Sequence, residues 1–386
     1  MSLNNNVEDG DTANSSHSAN APEPLVSPEV FNYFMTAVMD VVCSLIATFG
    51  IVSNVINIVV YGRQGVRESV NITFIALSLW DLCNCMLCLA TVVCFIINDH
   101  FPSAEVDVLA VQYVYIGYTR GCTYALSTLV TVYLSIERCI CIIFPFKVKD
   151  IFTRARSLCT NLGILLFGVA CFSPAWASQG LQWQREATLN VSRLVLWVST
   201  SRRQVDLFVD TFNGVVLPTV AQVVITVTSV IMISGVRASS QFRARAPKGK
   251  DSGSSTMGSV VGGPGSSTRA VGGPAPRQGP QRTVAGPTEQ TLPNKDGKVA
   301  KVVVLVAVIF FMCNLPVLLV AYTRPFVPDM DVGKAYYSLY LMVYTVVYVS
   351  GLVNASVNIF VYYFVSSKFR STFMDTFCSW GPFCRR

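Results

Sequence analysis

The stretch LSIERCICIIFPFKVK, Leu134 to Lys149, decides how the chain is read. It closes a long apolar run with an adjacent acid and base, Glu137 and Arg138, and then turns basic. A charge inside an apolar helix costs several kcal/mol unless it is paired or hydrated. A pair placed at the end of such a run therefore marks a membrane boundary and a position with a task. The run before it reaches back to residue 109, well beyond the roughly 20 apolar residues that cross a bilayer as a helix.

Six more runs of this kind lie near residues 34–62, 71–98, 155–178, 205–238, 298–323 and 335–364. Hydrophobic residues make up 52% of the 386 and charged ones 13%, about half the charged share of a soluble domain. The fold class expected is an all-α membrane protein, a seven-transmembrane helix bundle. Of the 29 Lys and Arg, 22 fall on one side of it, in the segments around the ends of spans 1, 3 and 5 and in the tail. The first 35 residues hold five acids and no Lys or Arg. The positive-inside rule then puts the N-terminus outside the cell and the C-terminus in the cytoplasm, in a multi-pass protein of the plasma membrane. The net charge of +7 reports topology, and no nucleic-acid partner is expected.

Residues 1–33 read as a disordered extracellular segment and 34–364 as the transmembrane domain. Inside that domain, 239–297 form a Gly/Ser/Pro-rich cytoplasmic loop that cannot bury a core. Residues 365–386 are an amphipathic helix and tail. There Phe369, Phe373 and Phe377 share one face beside Lys368 and Arg370, the pattern of a short eighth helix lying on the inner leaflet with membrane lipid as its partner. Cys378 and Cys384 follow it as candidates for palmitoylation, and Asn14 and Asn190 are sequons on the outer side. All 13 cysteines lie in spans or on the cytoplasmic side, which excludes an outer disulfide framework. The chain shows no internal repeat of the inverted-repeat transporters, no phosphate-cradling glycine loop and no metal-ligand cluster. Its only histidines are His17 and His100, so no enzyme activity is expected.

Ionisable residues inside the spans are Asp40, Asp81, Arg120, Glu137, Arg138, Asp206 and Asp210. On span 3, Arg120, Tyr124, Ser127, Thr131, Leu134 and Arg138 recur at steps of three and four, which is one helical face. Arg120 and Arg138 are separated by about 27 Å of helix, close to the roughly 30 Å of a hydrocarbon core. One face of one helix thus carries a cation near each membrane surface.

These landmarks resemble the rhodopsin-like (class A) G-protein-coupled receptors, over all seven spans. Glu137-Arg138-Cys139 is similar to the family's acid–Arg–aromatic triplet, with cysteine in the aromatic place. Gly50 and Asn54 resemble its span-1 pair, and Leu77-Ser-Leu-Trp-Asp81 its span-2 motif with Trp80 for a small residue. Pro218 and Pro316 match the kink prolines of helices five and six. Asn358-Ile-Phe-Val-Tyr362 matches its Asn–Pro–x–x–Tyr box with isoleucine for proline, and Phe369-Arg370 its eighth helix. The texture of residues 135–157 also resembles molluscan and other lophotrochozoan chemosensory or neuropeptide receptors. The resemblance implies a non-enzymatic receptor that couples an extracellular ligand to a heterotrimeric G protein. It implies that Arg138 pairs at rest with Glu137 and Asp296, that span 6 then swings outward, and that Arg138 and Tyr362 belong to the coupling region. It implies an allosteric sodium ion, and no other cofactor, among Asp81, Ser127, Asn54, Asn354 and Asn358. A carboxylate with neutral oxygen donors suits a hard cation or ordered water.

The chain also departs from the family. Tyr113 stands where helix three usually carries a disulfide cysteine, which leaves the position of the second outer loop open. Ile164, Thr226 and Asn314 replace the usual aromatic residues of helices four, five and six, and Ile359 removes the kink proline of span 7. Span 7 has no interior lysine for retinal. Arg120 stands where amine receptors carry aspartate. A cation there suits a carboxylate on an organic acid, an amino acid or a peptide C-terminus. Asp210, eight residues before Pro218, either joins Arg120 in gripping a zwitterion or pairs with it. Tyr124, Asn314, Tyr344 and Tyr348 are expected in the same cavity. The alternatives are a membrane transporter or channel, and a non-signalling decoy receptor of the same fold.

Overall fold

The computed structural model describes residues 25–101, 105–144, 148–186, 191–245, 294–327, 329–330 and 334–378. Asn14, Asn190 and Cys384 lie outside them, as does most of the loop 239–297. Among the described residues, seven helices are long and apolar enough to cross a membrane: α1 (Pro28–Gln64), α2 (Ser69–His100), α3 (Val108–Ile143), α4 (Arg154–Ala177), α5 (Arg202–Gly235), α6 (Lys301–Thr323) and α7 (Tyr337–Val365). The α5 helix runs on to Arg245, and the α6 helix starts at Asn294. A short α8 follows as Ser367–Phe373 and a π-turn at Met374–Cys378. Side-chain caps define several starts. Ser27 accepts from the Val30 N–H, Asp107 from Ala110, Thr153 from Arg156 and Ser366 from Phe369, each satisfying a backbone donor that the helix leaves free.

One element departs from the all-α expectation. Strands β1 (Gln179–Glu186) and β2 (Val191–Val198) form an antiparallel hairpin between α4 and α5. The β2 sequence VSRLVLWV is rich in the β-branched, apolar and aromatic residues that fit a pleated surface. This end of the bundle is the hairpin end, and the end with α8 is the tail end. A parallel bridge, Val106 to Leu194, ties β2 to the lead-in of α3, with Leu194 N–H donating to Glu105 O at 2.7 Å.

The place left open by Tyr113 is filled by a polar knot around Arg202. The buried guanidinium donates to Gln179 Oε1 at 2.8 Å, Ser178 Oγ at 3.1 Å, Tyr113 OH at 2.8 Å and Tyr118 OH at 2.6 Å. It also pairs with Asp206 at 2.8 Å. Gln179 Nε2 in turn donates to Val114 O at 2.8 Å. One arginine on α5 therefore joins α3, the end of α4 and the root of the hairpin. That is the link a disulfide would otherwise make, built from charge-assisted hydrogen bonds.

The tail-end core explains a second departure. With Ile359 in place of proline, α7 is expected to run through. It breaks instead at Val357, between Tyr337–Ser356 and Asn358–Val365. The cause lies in α1. Asn54 Nδ2 donates to Ala355 O at 2.8 Å and Ser53 Oγ to Ser356 O at 3.1 Å. Those carbonyls are the acceptors a continuous helix would offer to Ile359 and Phe360. Phe360 N–H takes Val357 O at 3.1 Å. Side chains of α1 thus do what a proline does by lacking an N–H. Gly50 permits the approach, since a Cβ there would stand 2.4 Å from Ser356 Oγ and 2.5 Å from Cys85 Sγ. The α8 expectation also needs correction. Phe369 does not face lipid. It is fully buried, against Tyr61 and Tyr362. Phe373 packs on Tyr363, and Phe377 is exposed.

Removing one partner of a buried, hydrogen-bonded charge costs roughly 3–5 kcal/mol. Arg202→Ala is therefore expected to lower the thermal unfolding midpoint of the purified protein by many degrees and to speed limited proteolysis in the hairpin. An unchanged midpoint with unchanged cleavage would show that the knot does not hold the hairpin.

Candidate functional site

Candidate residues gather at three levels of α3. At the hairpin end, side chains from all seven helices line a cavity of about 630 Å³, within the size range of small-molecule sites. Three helices open into π-turns around it, at Thr36–Cys43 in α1, Gln112–Gly117 in α3 and Phe212–Val216 in α5. Each gives at least one lining residue, among them Met39, Tyr113 and Asn213. Such widened turns recur at functional sites. In α5 the local reason is Pro218, which has no N–H to offer Gly214. Pro316 lies inside α6.

Arg120 is in the cavity with its guanidinium 4.2 Å from the Tyr348 ring centroid, a cation–π contact across to α7. It makes no ion pair among the described residues. Asp210 also lines the cavity, but its ion-pair partner is Arg324, at 3.9 Å. Arg324 further donates to Tyr344 OH at 3.5 Å. In this structure Asp210 meets Arg324, from the turn that follows α6, and Arg120 rests on an aromatic face. Tyr124, Tyr344 and Tyr348 line the cavity as expected, whereas Asn314 does not. Asn314 is buried behind Tyr124 and accepts its hydroxyl at 2.5 Å, which ties α3 to α6. Asn213, absent from the expectations, lines the wall with both amide atoms buried and unpartnered among the described residues.

At mid-depth, Asp81 is 1% exposed. One carboxylate oxygen accepts from Ser127 Oγ at 2.6 Å and the other from Asn358 Nδ2 at 2.9 Å. Asn54 bonds instead to Gly50 O and Ala355 O, and Asn354 is buried without a described bond to Asp81. So Asp81, Ser127 and Asn358 meet, while Asn54 serves the α7 break. Oδ1 of Asn358 is buried and unpartnered among the described residues. A carboxylate, a hydroxyl and a free amide oxygen fit a hard cation or a water.

At the tail end, Glu137 is fully buried. It accepts from Arg138 Nη2 at 2.8 Å, Ser69 Oγ at 2.6 Å and Thr73 Oγ1 at 3.3 Å. Ser69 continues to Ser157 of α4, whose Oγ lies 3.0 Å from Tyr133 OH. The expected Glu137–Arg138 pair is present, with its acid clamped among α2, α3 and α4. Asp296 lies on the helix leading into α6, with its side chain outside the described residues. Tyr362 sits in an aromatic box of Tyr61, Phe74 and Phe369, its hydroxyl buried and unpartnered among the described residues. Cys378 closes the π-turn of α8. Sequence reading missed Ser69 and Thr73, though their i, i+4 spacing on span 2 was a visible signal. It also missed Asn213 and the Arg202 knot, whose partners are remote in sequence.

With this geometry in place, comparison with known families is direct. The model of the rhodopsin family of seven-transmembrane receptors matches residues 53–362, from the α1 serine at the α7 break to the tyrosine of the aromatic box. The chain belongs to that family. Among curated proteins, none matches it.

Leaving a buried carboxylate short of donors costs about 1–3 kcal/mol for each bond removed. The double substitution Ser69→Ala/Thr73→Val is expected to lower thermal stability by several degrees, while the exposed Thr211→Ala serves as an unaffected control. Equal midpoints for all three proteins would show that Glu137 does not depend on α2.

Proposed function

We propose that this receptor carries the state of its cavity to a heterotrimeric G protein, and that its ligand presents a carboxylate to Arg120. The observation that carries this reading is that one helix, α3, holds Arg120 in the cavity and Arg138 in the buried pair at its other end. The basic residues of the tail end and the acidic first segment support an extracellular hairpin end in the plasma membrane. The engaged state of Asp210 favours an anionic ligand over a zwitterion, because the cavity's cation lacks a described carboxylate partner and its acid already has a cation.

The mechanism follows from differential binding. A ligand shifts a two-state bundle only as far as it binds one state better. A carboxylate on Arg120 replaces a cation–π contact with a charge-assisted hydrogen bond and pulls on α3 at the level where Tyr124 grips Asn314 of α6. At the far end α3 and α6 are freed to separate, and Arg138 is released to meet the Gα subunit. Glu137, held by α2, stays in place. Asp81, Ser127 and Asn358 would hold a sodium ion in this reading, and the ion would supply a positive charge against the buried carboxylate.

The reading is tested with a panel of organic acids, amino acids and amidated peptides on cells expressing a promiscuous Gα. Arg120→Ala is expected to raise the half-maximal concentration of an active acid tenfold or more. Arg138→Ala is expected to abolish nucleotide exchange and leave binding intact. Undiminished exchange by Arg138→Ala would refute the coupling role. Binding without exchange in the unmodified protein points to a decoy, and ligand uptake or current in vesicles to a transporter or channel. For the ion, NaCl in place of choline chloride is expected to raise the unfolding midpoint of the wild type and not that of Asp81→Asn. Equal midpoints in the two salts would remove sodium from the mechanism.

A further inference from the structure

Most polar groups of the cavity wall are already spent on the protein itself. The Tyr124 hydroxyl donates to Asn314 Oδ1 and the Tyr348 hydroxyl to Cys88 O at 3.4 Å. Tyr118 OH accepts from Arg202 and donates to Asp206 at 2.9 Å. Thr345 donates back to Leu341 O at 2.9 Å, and the hydroxyl of Thr128 can turn back on its own helix in the same way. Both amide atoms of Asn213 are closed off from the cavity. Tyr113 and Tyr344 accept from Arg202 and Arg324, so each has a proton left to donate. Asp210, the acid of the lining, already holds the Arg324 cation. Arg120, the cation of the described lining, is partly open. What the wall still offers a ligand is therefore one cation and a few donors.

The rest of the lining is apolar. On one flank Met35, Met39 and Phe95 pack in one cluster with Tyr348, the ring on which Arg120 rests. The other flank carries Phe172 of α4 with Val209 and Leu217 of α5, and it has room. Gly117 and Gly214 also line the cavity, and a Cβ on either would meet nothing within 4 Å. An ammonium or a row of peptide N–H groups laid on this wall would lose water and gain no free carboxylate. A second carboxylate finds no second cation among the described lining side chains. An apolar body is favoured by the same loss of water. We propose that the ligand is an amphiphilic monocarboxylic acid, with its carboxylate on Arg120 and its apolar body along the α4–α5 wall. The inference deepens the function proposed above and rests on Arg120 as the carboxylate site.

The test uses the purified full-length receptor in lipid nanodiscs, with empty nanodiscs to subtract partition into lipid. Three matched probes are octanoate, 8-aminooctanoate and octanedioate, and octanol is the uncharged control. Binding is read by titration and by the shift in Tm. Octanoate is expected to bind at least tenfold tighter than each of the others. From hexanoate to dodecanoate, affinity is expected to rise about two- to fourfold per methylene and then level off once the cavity is full. Arg120→Gln is expected to bring octanoate down to the affinity of octanol. Gly214→Val adds bulk where a Cβ is unopposed and is expected to weaken dodecanoate tenfold or more relative to hexanoate. Leu217→Phe is expected to do the same and replaces Gly214→Val should that variant lower the ligand-free Tm. If 8-aminooctanoate or octanedioate binds as tightly as octanoate, and Arg120→Gln weakens it, the monoacid reading is overturned and Arg120 remains the anion site. The same chain-length profile in the wild type and both α5 variants overturns the placement of the apolar body. If octanol matches octanoate, or no acid binds the wild type, both readings fall.

Discussion

A polar group at membrane depth must be answered inside the protein, because the surrounding hydrocarbon offers no partner. That constraint organises this bundle from one end to the other. Arg202 answers two tyrosines, a glutamine and an aspartate. Asp81 is answered by α3 and α7, Glu137 by α2 and by its own neighbour. Each answer joins helices that apolar packing alone would leave free to slide, since lipid tails are as apolar as leucine and give helices little reason to prefer one another. The polar clusters therefore set the relative register of the helices, and the apolar clusters fill in around them.

The same logic explains how the chain does without landmarks that its family resemblance leads one to expect. Where a disulfide cysteine would stand, Tyr113 hands its hydroxyl to Arg202. Where a proline would interrupt α7, Ser53 and Asn54 occupy the carbonyls of Ser356 and Ala355. In both cases a covalent or backbone device is replaced by a side-chain hydrogen bond from a neighbouring helix. Such a bond is weaker alone but sits in a low-dielectric interior where an unmade bond is expensive. The replacement transfers the constraint from one residue to a contact. Gly50 becomes essential because α1 must come close enough to reach α7.

This pattern also explains what was legible in the sequence. Span count came directly from run length, which is a one-dimensional signal. Observed helix ends fall within a turn or two of the expected ones, and the match of residues 53–362 to the receptor family supports the motif reading. Single-helix relations were legible too: Arg120 and Arg138 on one face of α3, and the adjacent Glu137–Arg138 pair. Relations between helices were not. Nothing in the order of residues says that Asp210 meets Arg324 rather than Arg120, that Phe369 turns inward, or that Asn54 bonds Ala355. The hairpin was hidden by the expectation that a membrane bundle is wholly helical, although VSRLVLWV carries strand composition.

The tail end shows why Arg138, and not Glu137, is the member of the pair that can move. Glu137 has three described donors on two helices, and its clamp reaches α4 through Ser69 and Ser157. Among the described residues Arg138 is bound through one nitrogen, while its Nε is buried without a described partner. On α7 the Tyr362 hydroxyl, within the aromatic core, is likewise buried without a described partner. Each unmet donor costs about 1–3 kcal/mol, so an arrangement that supplies partners to both recovers part of the roughly 3–5 kcal/mol that opening the buried pair costs.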